Sequence, residues 1–291
     1  IEEEVVFRVE RGDGVLLIAE KLEEEGLITN SYIFSAYVFF FGKRGDLKAG
    51  SYLISPSMTI SQIVRRMADG ETYKKRITII EGWNLNDIAN YLEEEGVGSR
   101  EEFYQLAGKP PSFEESEILG SMREESTLEG YLFPDTYYIS VDAQLEEVIK
   151  MMLSNFRQKS TEEWTLEVIV IASLIEKEVI SKEDKEIVSG IIKKRMEIGM
   201  PLQIDATINY LTGKRTTRVS IEETRIDSAY NTYLYRGLPQ GPICNPGLSS
   251  IEAAISPVES DYLYYLSKPT GETVFSRTLE EHNIAKNKYL R

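Results

Sequence analysis

The most apolar stretch of the chain is LEVIVIASLIEKEVI, residues 166–180. A nearly unbroken apolar run leads up to Glu176 within this stretch. Continuous apolarity of this length predicts a buried helix or a buried strand, around which a core can form. The sequence therefore places the carboxyl group of Glu176 beside apolar side chains.

Two interpretations of Glu176 follow from that placement. Removing an unpaired carboxylate from water is costly, so a buried carboxyl group tends to keep its proton. A carboxylic acid that is protonated near neutral pH is what a general acid for glycosidic-bond cleavage requires. The alternative is an ion pair with Lys177 or a nearby arginine at the end of the helix. The pattern by itself favours the ion pair, because structural ion pairs also perturb carboxyl groups.

The neighbourhood of Glu176 offers few chemical partners. Glu178 is two residues further on and points away from Glu176 on a helix, so the two cannot share a face. A two-carboxylate hydrolase would need its second carboxylate elsewhere, and Asp205 in LQIDAT (202–207) is the best candidate. Ser173 and Lys177 lie one turn apart and allow a Ser–Lys nucleophilic pair, although Lys177 can equally extend to solvent.

Composition excludes several classes of protein. The 291 residues include 33 Lys and Arg and carry a net charge of -15, which argues against a nucleic-acid-binding surface. Apolar content of 42% and charged content of 28% are those of a folded soluble protein with room for two domains. One cysteine and one histidine, Cys244 and His282, argue against a disulfide, a Cys- or His-based metal site and a Ser-His-Asp triad. We therefore predict no metal and no cofactor.

The sequence contains no apolar segment long enough to span a bilayer. Because the chain starts at Ile1 rather than at a methionine, we expect an N-terminal piece to be missing. A signal peptide or a membrane anchor belongs to such a piece.

An internal repeat organises the first third of the chain. Residues 6–26 read VFRVERGDGVLLIAEKLEEEG and residues 76–96 read RITIIEGWNLNDIANYLEEEG, with 8 of 21 positions identical at an offset of 70. Each copy has a β-branched run, a glycine turn, an amphipathic helix and a closing glycine. The repeat predicts two strand–turn–helix units.

Between the two copies, the sequence predicts a helix near 31–40, a strand at 50–54 and a helix at 59–68. The order β-α-α-β over roughly residues 4–55, opening on Val-x-x-Gly-Asp and Ile-Ala-x-x-Leu, resembles the LysM module, a glycan-binding fold. The arrangement is common, so by itself it is weak evidence for glycan binding.

Helices and loops follow the repeat. We predict a polar helical region at 98–127 with a loop at Lys109–Ser112, and an extended, aromatic segment at 128–138 that suits a groove wall. Helices are predicted at about 144–159 and 185–198. Loops are predicted to dominate residues 217–257, and two short strands (262–267 and 273–276) and a helix from Leu279 complete the chain.

Several short segments in a fixed order carry a family resemblance. They are EGYLFPDT (129–136), ASLIEKE (172–178), LQIDAT (202–207), AYNTY (229–233), GLPQGPI (237–243), NPG (245–247) and FSRTLEEHN (275–283). Together they closely resemble the endolytic murein transglycosylase family, also called YceG-like, over about residues 47–290. Ile204, Ala206 and Cys244 depart from residues common in the family. None of these departures touches Glu176.

The resemblance implies an α+β fold with three parts: a LysM-like module (1–75), an intervening segment (76–160) and a catalytic domain (161–291). It also implies cleavage of the β-1,4 bond between N-acetylmuramic acid and N-acetylglucosamine in peptidoglycan. By the same resemblance Glu176 is the catalytic acid. It first protonates the leaving oxygen and then, as a base, assists the C6 hydroxyl in forming a 1,6-anhydro ring.

We predict substrate-binding roles for polar residues near Glu176. Hydrogen-bonding candidates for the sugars are Gln203, Asp205, Tyr230, Asn231 and Tyr233. Each has a structural alternative, since Asn231 can cap a turn, Asp205 can cap a helix and the tyrosines can belong to the core. Glu129 and Glu281 are expected to brace the site through backbone contacts.

Two alternatives to the transglycosylase remain open from the sequence. One is a glycan-binding scaffold with little activity, and the other is a muramidase-type hydrolase that uses Glu176 with Asp205. The resemblance further implies peptidoglycan strands as substrate, peptidoglycan synthases as partners and a single-pass membrane anchor. The catalytic part would then lie outside the cytoplasm of a bacterium.

Overall fold

The protein divides into two compact units in its structure, a computed structural model that describes residues 4–41, 45–108, 127–214, 216 and 219–290. Unit 1 comprises residues 1–77 and 137–144, and unit 2 comprises residues 78–136 and 145–291. The predicted intervening segment at 76–160 is thus shared between the units. The three-part division made from the sequence stays a prediction.

Unit 1 contains the predicted β-α-α-β order. Its elements are β1 (Val5–Val9), α1 (Val15–Glu24), α2 (Ser31–Phe40), β2 (Gly50–Ile54), α3 (Ile60–Asp69), β3 (Lys74–Thr78) and β4 (Thr136–Ser140). The last residue of β3 and the first residue of β4 fall in unit 2. β1 pairs antiparallel with β2 in a register that places Phe7 opposite Tyr52, and β3 pairs with β4. Both aromatic residues are fully buried in the core with Leu22, Phe34 and Met67. The likeness of this arrangement to a LysM module, and glycan binding by it, stay predictions.

The sequence repeat is also a structural repeat. α1 (Val15–Glu24) corresponds at the offset of 70 to α4 (Leu85–Glu94). Gly12 and Gly82 turn the chain with φ of 97° and 79°, a left-handed conformation that favours glycine. After α1 the N–H of Leu27 donates to the carbonyl of Leu22, and after α4 the N–H of Val97 donates to the carbonyl of Leu92, both at 2.9 Å. The shared sequence pattern of the two copies therefore produces the same glycine turn and helix in both.

Unit 2 is mainly helical. After α4 come α5 (Arg100–Ala107), α6 (Leu145–Lys159), α7 (Leu166–Glu178), α8 (Lys182–Glu197), α9 (Asp205–Thr212), α10 (Leu248–Ile255), β5 (Tyr264–Ser267), β6 (Thr273–Ser276) and α11 (Leu279–Tyr289). β5 and β6 form an antiparallel hairpin. The helices predicted at 144–159, at 185–198 and from Leu279, and the predicted hairpin, are confirmed to within a few residues. Of the polar helical region predicted at 98–127, residues 100–107 form α5, and residues 109–126 lie outside the described residues. The predicted loop at Lys109–Ser112 lies outside the described residues.

Helix α10 was not predicted, because residues 217–257 were assigned to loops. The helix is only eight residues long, and its sequence LSSIEAAI has one charged residue. Short apolar segments after Pro and Gly give a weak periodic signal, so the neighbouring Pro246 and Gly247 dominate the pattern. The prediction was wrong here, and this helix turns out to contact Glu176.

Helix α7 is the buried centre of unit 2, as its apolar run predicts. The Thr165 side chain caps its N-terminus by accepting a hydrogen bond from Val168 N–H, and residues 169–175 are all buried. α7 packs against α8, α9 and α10. It ends at Glu178, because Val179 adopts an extended backbone conformation. The mixture of helices and small antiparallel sheets is the α+β fold class predicted from the sequence.

Candidate active site

Glu176 lies in a closed cluster of hydrogen-bond donors at the junction of α7, α8 and α10. Its Oε1 is 3.3 Å from Lys185 Nζ. Its Oε2 accepts hydrogen bonds from Gly247 N–H at 2.9 Å and from Ser250 Oγ at 2.7 Å. Lys185 Nζ also donates to Ser249 Oγ at 2.9 Å. These charged and polar donors hold the Glu176 carboxyl group in one orientation.

The interpretation of Glu176 as an ion-paired residue therefore agrees with the structure, although the partner is neither Lys177 nor an arginine. Lys177 Nζ instead donates to the carbonyl of Gly82 at 3.1 Å. The side chains of Glu176 and Lys185 are 9% and 5% exposed, so their ion pair is shielded from water. The side chains that flank Glu176 are thus less apolar than its sequence neighbours predict.

A large cavity of about 1580 Å³ opens nearby in unit 2. Its walls come from α4, α5, α7, α8, α9, β5 and α11, with further residues from the connecting loops. Glu178, Gln203, Asp205 and Tyr233 are among the lining residues, and Glu129 contributes to the wall as well. Glu176 is not among the described residues that line this cavity.

Glu178 faces the cavity from the last position of α7. Removal from water is the main reason why its pKa is raised to about 7, and the negative charge of Asp205 raises it further. The hydroxyl of Tyr265, the backbone N–H of Ala206 and the charge of Arg195 act in the opposite direction. Near neutral pH this carboxyl group can therefore hold a proton in the cavity and also release it.

Glu129 is a second buried carboxyl group in the cavity wall. Burial raises its pKa to about 8, against the effect of hydrogen bonds from Leu85 N–H and Tyr210. Its Oε2 accepts from Leu85 N–H at 3.1 Å, at the start of α4, and its Oε1 accepts from Asn245 Nδ2 at 3.2 Å. Glu129 therefore joins α4, α9 and the loop before α10. Its role in bracing the site stays a prediction.

Three of the predicted substrate-binding residues meet at the cavity. Tyr233 donates a short hydrogen bond from its hydroxyl to Asp205 Oδ1. Gln203 has φ of 52° and is the one non-glycine residue with positive φ in the described part of the chain. Strained backbone of this kind is frequent at functional sites. Asp205 begins α9, whose next residue, Ala206, donates its N–H to Glu178.

Tyr230, Asn231 and Glu281 do not line the cavity. Asn231 is buried and organises its own loop, donating to the carbonyls of Thr224 and Ile226 and accepting from Tyr233 N–H. The Tyr230 ring packs on Tyr210 with centroids 5.1 Å apart. Glu281 accepts from Arg277 N–H at 2.8 Å at the start of α11. In these positions the three residues support the fold around the site.

The Ser–Lys pair considered from the sequence does not form. Ser173 Oγ donates to the carbonyl of Val170 at 2.7 Å and accepts from Ile243 N–H at 3.1 Å. Since Lys177 is bonded to Gly82, the two side chains have different partners. Within the described residues, no group of three or more His, Cys, Asp or Glu side chains is arranged to hold a metal ion.

Sequence reasoning missed Glu178, Tyr265 and Arg195 as members of the site. The sequence excludes Glu178 as a partner of Glu176 because Glu178 points away from Glu176 on the helix, and the structure agrees with that geometry. A signal was nevertheless present, since Ser181 caps α8 and limits α7 to the residues just before it. A helix that stops there leaves Glu178 at its end, where a side chain can reach a cavity.

Comparison with known proteins identifies the family. The family model described as the YceG-like family matches residues 7–288, and the chain belongs to this family. A relative from Bacillus subtilis named endolytic murein transglycosylase is 35% identical, covering 98% of this chain and 85% of its own length. A relative of the same name from Streptococcus pneumoniae is 31% identical over 97% of this chain, which spans 58% of that protein.

The fold agrees with this family. A crystal structure of a yceG-like protein from Listeria monocytogenes has a TM-score of 0.63 and 32% sequence identity to the chain. The similarity covers 98% of this chain and 100% of the solved one. Family membership therefore rests on both sequence and structure.

Proposed function

We propose that the chain is an endolytic murein transglycosylase that acts on peptidoglycan strands at the cell-wall side of a bacterial membrane. The names of its relatives support the substrate and the class of enzyme. One observation carries the proposal. The carboxyl group of Glu178 lies in the wall of a large cavity and has a pKa of about 7. A membrane anchor and synthase partners stay expectations from the family resemblance. Among the described residues, no helix combines the length and apolarity needed to cross a bilayer.

The proposed reaction needs one proton donor that becomes a base. The Glu178 carboxyl group donates its proton to the glycosidic oxygen, and the bond from that oxygen to C1 of N-acetylmuramic acid breaks. The resulting carboxylate accepts the proton of the C6 hydroxyl, whose oxygen bonds to C1 and closes the 1,6-anhydro ring. Glu178 thus regains its proton, and no water is consumed.

The proposal assigns the proton donor to Glu178 instead of Glu176. Glu176 is bonded to Lys185, Gly247 N–H and Ser250, and it is not among the described residues that line the cavity. Glu178 is held by Tyr265 and Ala206 at the cavity, where a sugar can reach it. Catalysis by Glu176, which the family resemblance implies, is the competing assignment, and the same experiment tests it.

The experiment compares E178Q with E176Q on purified, uncrosslinked glycan strands, with products identified by mass spectrometry. We expect E178Q to lose anhydro products by about 10²–10⁴-fold, the usual contribution of general acid–base catalysis. We expect E176Q to retain activity at a temperature where circular dichroism shows it folded. An active E178Q together with a folded but inactive E176Q would overturn the assignment.

Hydrolysis is the second candidate, because the negative charge of Asp205 lies close enough to Glu178 to raise its pKa. A carboxylate beside the acid can activate water, in which case the products carry reducing ends. The two chemistries differ in the new sugar end, which mass spectrometry distinguishes by the mass of one water. Anhydro ends support the transglycosylase, and reducing ends support the hydrolase.

A further inference from the structure

One face of the last helix forms a wall of the cavity. The residues of α11 and its C-terminal neighbour that line the cavity are Leu279, His282, Asn283, Lys286, Tyr289 and Leu290. Their spacing of three, four and seven positions places them on one side of a helix. Since Leu279 and Tyr289 mark the ends of α11, the whole length of the helix faces the cavity.

Two consecutive residues of β5, Tyr264 and Tyr265, connect this wall to Glu178. The hydroxyl of Tyr265 interacts with Glu178. The ring of Tyr264 stacks on the ring of His282, with centroids 5.4 Å apart and an interplanar angle of 26°. The guanidinium group of Arg195 also packs on Tyr264, at 5.1 Å from the ring centroid. The proton donor and the α11 wall are therefore parts of one packed structure.

Arg195 makes this structure rigid. Its guanidinium group is buried and donates to the carbonyls of Leu263 at 2.7 Å and Leu202 at 2.6 Å. These bonds fix the chain just before Tyr264 and just before Gln203. A wall held in this way is preorganised, which reduces the entropic cost of binding a ligand.

The cavity is too large for a single sugar ring. Sites for drug-sized molecules have volumes of about 300–1,000 Å³, and this cavity has about 1580 Å³. Beyond Glu178, further lining residues come from the start of α4 and from Glu129. The cavity therefore has room for sugars other than the two that share the broken bond.

The chemistry of the α11 wall suits an amino-sugar strand that carries carboxylates. Burial, together with the charges of Lys286 and Arg195, lowers the pKa of His282, so its imidazole is neutral near pH 7 and can hydrogen bond to hydroxyl or acetamido groups. Asn283 supplies an amide with donors and an acceptor. Lys286 adds a positive charge in a chain whose net charge is -15. The peptide side chains of peptidoglycan strands end in carboxylates that such a charge attracts.

We propose that the α11 face is a binding subsite for peptide-bearing muramyl saccharide on one side of the bond that is cleaved. This inference rests on the proposed function. His282 and Asn283 contact the sugars, and Lys286 contacts a carboxylate of the attached peptide. None of the three takes part in proton transfer, so they determine KM and the choice of strand.

The test measures kcat and KM of N283A, H282A and K286A on two substrates. One is long glycan strands that carry their peptides, and the other is the same strands after an amidase has removed the peptides. We expect N283A and H282A to raise KM about 5–10-fold on both substrates, the effect of one lost hydrogen bond, with kcat within about twofold. K286A should raise KM on peptide-bearing strands only. The control is N287A, an exposed residue of the same helix that does not line the cavity.

Each outcome decides the proposal. KM values of N283A and H282A equal to that of N287A on both substrates would overturn the subsite. An equal effect of K286A on stripped and peptide-bearing strands would overturn the peptide contact. Asn283 is exposed, so N283A keeps the test valid if H282A fails to fold. The proposed function fails separately, if the wild type releases no anhydro ends from purified strands. A fully active E178Q overturns only the assignment of the proton donor to Glu178.

Discussion

Asp205 places a negative charge near Glu178 and is held by the Tyr233 hydroxyl. Like charges disfavour ionisation, so the D205N substitution should lower the pKa of Glu178 by about one unit. Glu178 must be protonated to donate, and activity is lost as pH rises through its pKa. The basic limb of the pH–rate profile should therefore move to lower pH by about one unit in D205N.

This profile is measured as kcat/KM between pH 5 and 9 for the wild type and D205N, with Y233F as a matched variant that leaves the carboxylate in place. An unchanged basic limb in D205N would contradict electrostatic coupling of Asp205 to Glu178. Loss of activity at every pH would instead indicate a direct role of Asp205 in the reaction, as in the hydrolase.

The two glutamates of α7 show what residue type and spacing can and cannot specify. Their separation by two positions predicts that they point in different directions, and they do. Which one faces the cavity depends on Lys185 and Ser250 for Glu176, and on Tyr265 and Ala206 for Glu178. These partners belong to α8, α10, β5 and α9, whose packing cannot be read from the local pattern.

At the scale of elements, the Glu176–Lys185 ion pair joins α7 to α8, and both helices contact α10 through Gly247, Ser249 and Ser250. Removing one partner of a buried ion pair leaves an uncompensated charge and typically costs about 3–5 kcal/mol. We predict a loss of this order in the free energy of unfolding for K185M, measured by urea denaturation.

The double variant E176Q/K185M provides the control, because it removes both charges. We expect it to recover a substantial part of the stability that K185M loses. A double variant as unstable as the sum of the two single variants would show that the charges are not coupled.

The repeat illustrates how local and tertiary information differ at this scale. Gly12 and Gly82 make the same turn in the two copies, as their sequences predict. A side chain added at Gly12 would meet no other atom within 4 Å, whereas one at Gly82 would lie 3.5 Å from Glu176. The second turn also receives Lys177 Nζ and bonds to Asn245. The second copy therefore lies beside Glu176 and Lys177.

At the scale of the whole molecule, two carboxyl groups of the cavity wall link stability to pH. The pKa of Glu178 is raised to about 7 and that of Glu129 to about 8, from an ordinary value of 4.5. Between 4.5 and these values the folded state binds more protons than the unfolded state, so stability falls as pH rises. The contribution is largest below pH 4.5 and is lost above pH 8.

We therefore predict that this contribution makes the Tm of the wild type fall between pH 5 and 8.5, and that E129Q and E178Q show a flatter dependence. Glutamine keeps the size of the side chain but cannot ionise, which isolates the titration. Calorimetry or near-UV circular dichroism at a series of pH values measures the slope. Slopes for both variants that match the wild type would contradict buried, titrating carboxyl groups at 129 and 178.

The sequence by itself determined the order of helices and strands, the repeat, the buried helix α7 and the family resemblance, because these depend on local periodicity and on short ordered segments. It also identified Gln203, Asp205 and Tyr233 as candidate substrate-binding residues. Tertiary structure alone decided the environments of Glu176 and Glu178. The hydrogen-bond partners and charges around a carboxyl group come from the elements packed against it, and Lys185, Ser250 and Tyr265 reach these two glutamates only through the packing of separate elements.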